Sequence, residues 1–219
     1  MCGIAGSYAP DGVTLPRSPD EIVAMLARIG HRGPDEAGYY RDTRCTLGMV
    51  RLSILDLASG QQPMASPSQR YWCVFNGEIY NYLEIKSQLL AQGYTFQSNS
   101  DTEVLLAWYD LKKEKCLADL DGMFAFAIYD KQENTVFFAR DRFGEKPLFY
   151  TRFNGSLFFA SEMKAFSAAG IPKKPSKQRV FDYLAFDRME SFEHPESTFF
   201  EGIFQLQPAH YMVLTPGEE

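Results

Sequence analysis

Two stretches in the second half of the chain constrain its fold more than anything else in it. Residues 123–129 and 135–140 are apolar runs that flank the polar turn Asp130-Lys131-Gln132-Glu133-Asn134. Residues 148–151 and 156–160 flank Asn154-Gly155, a pair suited to the tight hairpin turn. Both read as β-hairpins, whose strands are antiparallel neighbours. The composition agrees: 18 Phe and 12 Tyr bring the aromatic content to 15%, and such side chains suit half-buried strands.

The first half mixes strands with helices. Short strands are expected near residues 4–8, 36–41, 45–49 and 71–75, the last ending at Asn76-Gly77-Glu78. Ser18-Pro19-Asp20-Glu21 reads as a helix start, with Ile22, Met25, Leu26 and Ile29 on one face and Gly30 as its stop. A second helix is expected from Asn81, with Glu84 three residues on and Tyr82, Leu83, Ile85, Leu89 and Leu90 buried. A third starts at the capping box Ser100-Asp101-Thr102-Glu103 and carries Val104, Leu105, Trp108 and Leu111 on one face. A short helix should follow Ser161-Glu162-Met163-Lys164. Beyond Gly170 the texture is linker-like, with a helix around Phe181, Tyr183 and Leu184 and a last strand near residues 211–214. The abrupt finish at Pro216-Gly217-Glu218-Glu219 leads us to expect further chain.

Bulk properties exclude several classes. At 219 residues the chain is long enough for a substantial core. A net charge of −6 argues against a nucleic-acid surface. No apolar run approaches about 18 residues, so no membrane span is expected, and nothing at the N-terminus resembles a signal peptide. The cysteines Cys2, Cys45, Cys73 and Cys116 are scattered, which suggests neither a zinc site nor a disulfide framework. We therefore expect a reducing, cytoplasmic setting and no metal.

Cys2, directly behind Met1, reads in two ways. It is a small residue at the edge of a strand, or it becomes the first residue once Met1 is removed. In the second case one residue holds a thiol, with an ordinary pKa of about 8.5, and an α-amine of roughly 7.7–8.0. Such a cysteine brings its own general base. The sequence has three His, two of them (His194 and His210) in the late region, so a thiol–imidazole pair would rest on His31. Asn76-Gly77 offers a side-chain amide and an exposed N–H for an oxyanion, or is simply a turn. Arg51 fits a carboxylate or flanks a strand on the surface. Glu78 and Asp101 fit an ammonium, although Asp101 in a first helical turn is also what a helix dipole favours.

Seven motifs in order remove much of this ambiguity: Met1-Cys2-Gly3-Ile4-Ala5-Gly6, His31-Arg32-Gly33-Pro34-Asp35, Arg51-Leu52-Ser53-Ile54, Phe75-Asn76-Gly77-Glu78-Ile79-Tyr80-Asn81, Ser100-Asp101-Thr102-Glu103, Gly122-Met123-Phe124-Ala125-Phe126 and Ala160-Ser161-Glu162-Met163-Lys164. The chain resembles the glutaminase domain of class II glutamine amidotransferases, in particular that of glutamine-hydrolysing asparagine synthetases. The resemblance implies an α+β fold of the N-terminal-nucleophile hydrolase type, a four-layer αββα sandwich of two antiparallel sheets between helical layers. It implies that residues 1–170 are the glutaminase domain, and that 171–219 complete it and lead toward an absent C-terminal synthetase domain.

It also implies roles. Cys2 attacks the side-chain amide of L-glutamine, with its α-amine as base. Asn76 and the Gly77 N–H hold the oxyanion. Arg51 holds the substrate carboxylate, Glu78 and Asp101 the ammonium, and the backbones of Leu52 and Ile54 line the pocket. The domain itself needs no cofactor; ATP and Mg²⁺ belong to the synthetase domain, together with aspartate. The partners implied are glutamine and the chain's own synthetase domain, with a homodimer left open.

Two departures stand out. Met49 occupies a position where relatives often carry His, which bears on local packing. No segment matches the Ser-Gly-Gly-type pyrophosphate loop of the synthetase half. Two alternatives remain: a related amidotransferase with another ammonia acceptor, and a non-catalytic domain on the same scaffold.

Overall fold

The computed structural model describes residues 2–12, 19–52 and 60–217. Two antiparallel sheets form its centre. The first has six strands in the order β10-β8-β9-β1-β3-β2, formed by β1 (Gly3–Tyr8), β2 (Glu36–Arg41), β3 (Cys45–Arg51), β8 (Phe149–Phe153), β9 (Ser156–Ala160) and β10 (Ile203–Gln205). The second has five in the order β11-β7-β6-β5-β4, formed by β4 (Met64–Ala65), β5 (Tyr71–Ile79), β6 (Gly122–Asp130), β7 (Thr135–Arg140) and β11 (Tyr211–Leu214).

Strand side chains alternate between faces, and here both faces are buried. Ile4, Leu47, Val74, Ala125, Ala127 and Phe159 fill the space between the sheets. On the outer face of the first sheet, Ala5, Val50 and Phe158 pack against Ile22, Met25 and Leu26 of α1 (Pro19–Ile29) and Phe166 of a short 3₁₀ turn (Met163–Ala169). On the outer face of the second, Phe75, Phe124 and Phe126 meet Ile85 and Leu89 of α2 (Tyr82–Ala91) and Val104, Leu105 and Trp108 of α3 (Asp101–Lys112). The expected αββα sandwich is therefore the observed one. Burial on both sides also explains why β6 reads as an unbroken apolar run: its alanines face the other sheet and its phenylalanines face the helices. The last 49 residues supply an edge strand to each sheet, β10 beside β8 and β11 beside β7.

Several local expectations need correction. β5 does not stop before Asn76. It continues to Ile79, pairing Asn76 with Ala125 and Gly77 with Phe124. Pairing to β6 outweighs the turn preference of Asn-Gly, and the approach is so close that a Cβ on Gly77 would lie 2.1 Å from the Met123 carbonyl oxygen. Asn81 precedes α2 without capping it; its side chain instead donates to Asp119 O at 2.8 Å and accepts from Asp121 N at 3.0 Å. Leu83 and Leu90 of α2 are exposed. Ser100 does cap α3, accepting from Thr102 N at 3.2 Å. Glu103, however, turns back to Gln97 N and Ser98 N, at 2.9 and 2.8 Å, and does not complete the expected box. Leu111 is exposed on α3, as are Phe181, Tyr183 and Leu184 on α4 (Lys177–Phe186), whose buried residue is Arg179. The Ser18 cap lies outside the described residues. Among the described residues, no helix is long and apolar enough to cross a membrane.

Candidate active site

Cys2 sits one residue ahead of β1, where Gly3 pairs with Val50 near the end of β3. Its Sγ lies 3.6 Å from the carbonyl oxygen of Leu52. Behind it, two motifs distant in sequence converge. Arg32 donates through Nε to the Cys2 carbonyl at 2.9 Å and through its terminal nitrogen to Glu162 at 3.0 Å. Glu162 also pairs with His31 Nε2 and Lys164 Nζ, each at 2.9 Å. Next door, Ser161 accepts from Ile4 N at 3.0 Å and donates its own N–H to Ile4 O at 2.8 Å. The start of β1 is thus clamped by neutral hydrogen bonds to Ser161 and by the charge-assisted bond from Arg32, the stronger kind.

In front of Cys2 is a cleft lined by Arg51, Leu52, Gln62, Asn76, Gly77, Glu78, Asp101 and Lys146, with Cys2 itself in the wall. The fold brings together every sequence-nominated site residue except Ile54, which lies outside the described residues. Asn76 points between the sheets, on the same side of β5 as Val74. Its Nδ2 is buried and has no hydrogen-bond partner, an omission that ordinarily costs about 1–3 kcal/mol.

The Gly77 N–H follows from strand parity. Its partner Phe124 turns both backbone groups to Asp141, donating to Oδ2 at 3.2 Å and accepting from Asp141 N at 2.8 Å. The Gly77–Phe124 pair is therefore not hydrogen-bonded, and the Gly77 N–H points off the opposite edge, past the end of β4. Flanking N–H groups on that edge are capped by side chains: Phe75 N by Gln62 Oε1 at 2.6 Å, Ile79 N by Asp101 Oδ2 at 3.0 Å. No described side chain caps Gly77. Two donors are thus left open side by side, the pattern that stabilises a developing oxyanion.

Arg51 is 5% exposed and pairs with Glu36 at 3.0 Å. Asp101 proves to be more than a first-turn acid, because its bond to Ile79 N ties α3 to β5.

The sequence family described as a glutamine amidotransferase domain matches residues 1–219. The chain belongs to this family. Asparagine synthetase [glutamine-hydrolyzing] 1 of Bacillus subtilis is 39% identical over 217 residues, covering 99% of this chain and 34% of the relative. Amidase chry2 of Gibberella zeae is 36% identical over 231 residues, covering 100% of this chain and 33% of the relative. This amidotransferase domain therefore spans about a third of the length of these relatives. Among solved structures, the glutamine phosphoribosylpyrophosphate amidotransferase of B. subtilis, complexed with ADP and GMP, superposes with a TM-score of 0.65 at 25% identity, over 77% of this chain and 44% of that one. The sandwich is thus an N-terminal-nucleophile hydrolase fold.

The electrostatics of the amidotransferase cleft are uneven. Burial pushes the Cys2 thiol above its usual range, while the contact with the Leu52 backbone and, after it, nearby positive charges that include Arg51 and Lys146 pull the other way. Burial also raises the Asp101 carboxyl to about 6, against the hydrogen bonds from Ile79 and Thr102, and the charge of Glu78 adds to the rise. For Glu162, burial would raise the carboxyl, but hydrogen bonds from Lys164, Arg32 and His31 overcome it and hold it at about 2. Met49, the departure from the family pattern, is a buried residue of the inter-sheet core.

Sequence reasoning did not single out Arg32, Glu162, Gln62 or Lys146. The first two stood inside quoted motifs with no role attached. Gln62 lies in a stretch to which no element was assigned, and Lys146 in the charged turn Asp141-Arg142-Phe143-Gly144-Glu145-Lys146. An Asp with Gly three residues on marks a turn, but nothing local says which cation will be buried.

Proposed function

We propose that this domain hydrolyses the side-chain amide of L-glutamine to glutamate and ammonia, with Cys2 as nucleophile. The observation that carries the reading is the pair of open donors, Asn76 Nδ2 and the Gly77 N–H, in the same cleft as Sγ. Once Met1 is removed, the α-amine of Cys2 takes the thiol proton. The sulfur attacks the amide carbon, the C–N bond breaks, and ammonia leaves with that proton. Water then adds to the thioester, the C–S bond breaks, and glutamate and the thiol are regenerated. Arg51 holds the substrate carboxylate, and Glu78 and Asp101 hold its ammonium. Leu52 lines the pocket, with Ile54 as the neighbour the family resemblance supplies.

The ammonia serves a further domain. Asparagine synthetases among the relatives favour aspartate as its final destination, with ATP and Mg²⁺ acting in that domain and the reaction placed in the cytoplasm. The similarity to a protein named an amidase keeps a different acceptor as the second reading.

The test is release of glutamate from glutamine by the purified protein, with intact mass to establish loss of Met1. Hydrolysis that Cys2→Ala abolishes is the expected result. A Met1-free protein that binds glutamine without turning it over would defeat the assignment.

A further inference from the structure

Among the described residues, two cations line the cleft, Arg51 and Lys146. Arg51 has the Glu36 carboxylate at 3.0 Å. Lys146 is 8% exposed, yet no described residue accepts a hydrogen bond from its ammonium and no described acid forms an ion pair with it.

It is not a loose surface lysine. Asp141 accepts hydrogen bonds from the backbone N–H groups of Phe143, Glu145 and Lys146, each at 3.0 Å, while also holding Phe124 of β6. Arg140 donates through Nε to the Lys146 carbonyl at 2.8 Å and through a terminal nitrogen to Gly144 O at 2.7 Å. The turn after β7 is thus built to present one residue to the cleft. A largely buried lysine whose ammonium opens on the cleft with no protein counter-ion is costly to hold there, so the charge is kept for something negative that forms in the cleft. Of the anions in the proposed chemistry, the oxyanion has Asn76 Nδ2 and the Gly77 N–H and the substrate carboxylate has Arg51, which leaves the Cys2 sulfur.

We propose that Lys146 is the electrostatic partner of Cys2, holding negative charge on the sulfur before attack and again when the sulfur leaves the thioester. The inference rests on Cys2 being the nucleophile. The other charged groups around Cys2 do not supply this function. Arg51, from β3, is compensated by Glu36 and faces the substrate carboxylate. Arg32, from the turn after α1, is bonded to the Cys2 carbonyl and to Glu162. Glu78 from β5 and Asp101 from α3 are acids that oppose a negative sulfur. The α-amine must be neutral to act as base.

The test reads the sulfur directly. Cys2 is alkylated with iodoacetamide across a pH series, and the modified N-terminal peptide is quantified in the wild type, Lys146→Met and Lys146→Arg; the buried Cys45, Cys73 and Cys116 serve as internal controls. Lys146→Met should move the alkylation midpoint upward by about half a pH unit or more, a threefold or greater loss of thiolate at fixed pH. Lys146→Arg should restore most of it. In parallel, kcat at neutral pH should fall with KM for glutamine unchanged, and the melting temperature should hold or rise. An unchanged midpoint overturns the proposal, and so does a rise in KM at constant kcat, which would make Lys146 a substrate-carboxylate ligand. Failure of the nucleophile assignment would show separately, as hydrolysis that survives Cys2→Ala.

Discussion

The two sides of Cys2 are built on opposite rules. Behind it, the polar groups that hold β1 are answered except for the buried Nη2 of Arg32: Arg32 bonds the Cys2 carbonyl, Glu162 collects Arg32, His31 and Lys164, and Ser161 closes on Ile4. In front, Asn76 Nδ2 is buried without a partner, Lys146 is buried without an acid, and Asp101 is held in a form that resists ionisation. The rear is optimised for the resting protein. The front leaves its favourable interactions to be made with substrate and transition state, which is where binding energy accelerates a reaction. Substitutions on the two sides should therefore separate stability from catalysis.

The sharpest break comes at Asn76. Replacing it with Ala should lower kcat by about 10²–10³-fold, the usual effect of losing one oxyanion donor, while the melting temperature changes little because no resting hydrogen bond is lost. A collapse in stability with proportionate loss of activity would place Asn76 on the structural side.

Asp101→Asn sharpens the comparison next. A carboxyl raised from 3.8 to about 6 in the folded protein binds its proton more tightly than in the unfolded chain. Its ionisation therefore costs stability, which is lost as pH rises from about 4 through 6, to a limit of about 3 kcal/mol. The variant should show no such loss and melt higher near neutrality, yet have a markedly higher KM for glutamine. In the wild type, kcat/KM should fall as pH drops below about 6, when Asp101 gains its proton and no longer attracts an ammonium. Urea unfolding at several pH values, with KM measured alongside, checks both halves.

The smallest expected effect lies behind the nucleophile. Arg32→Gln removes two charge-assisted hydrogen bonds and should cost about 2 kcal/mol of stability, with some loss of kcat because the Cys2 carbonyl is no longer held. Glu162 is depressed to about 2, so its contribution is present above its ordinary value near 4.5 and is lost as pH falls toward 2. Losing Arg32 should let that acid limb begin at a higher pH. An Arg32→Gln protein with unchanged melting and a deep loss of kcat would erase the proposed division.

Much of the architecture was legible in the sequence. The hairpin turn at Asn154-Gly155 forms with both residues at positive φ, 50° and 74°, as the dipeptide prefers. Pro19 opens α1 and Ser100 caps α3, because proline geometry and hydroxyl capping act within one turn of chain. The helix faces were less legible. Leu83, Leu90 and Leu111 followed the apolar pattern but are exposed, since burial depends on where the neighbouring sheet lies. Among site residues, Cys2, Arg51, Asn76, Gly77, Glu78 and Asp101 stood in recognisable motifs. Arg32 and Glu162, 130 positions apart, offered no sign of meeting.

The two Asn-Gly pairs mark the boundary between what the chain carries locally and what the assembled fold adds. At Asn154-Gly155 no partner strand competes, and the backbone takes the left-handed conformations that Asn and Gly tolerate. At Asn76-Gly77 the same dipeptide is drawn flat by nine paired positions along β6, and only glycine admits the approach to Met123. The sequence by itself determined most of the strands, the two hairpins, the proposed nucleophile and the residue types of the candidate site. The tertiary structure decided which donors stay open, because an N–H is left unpaired only where sheet pairing turns it outward and no neighbouring side chain arrives to accept from it.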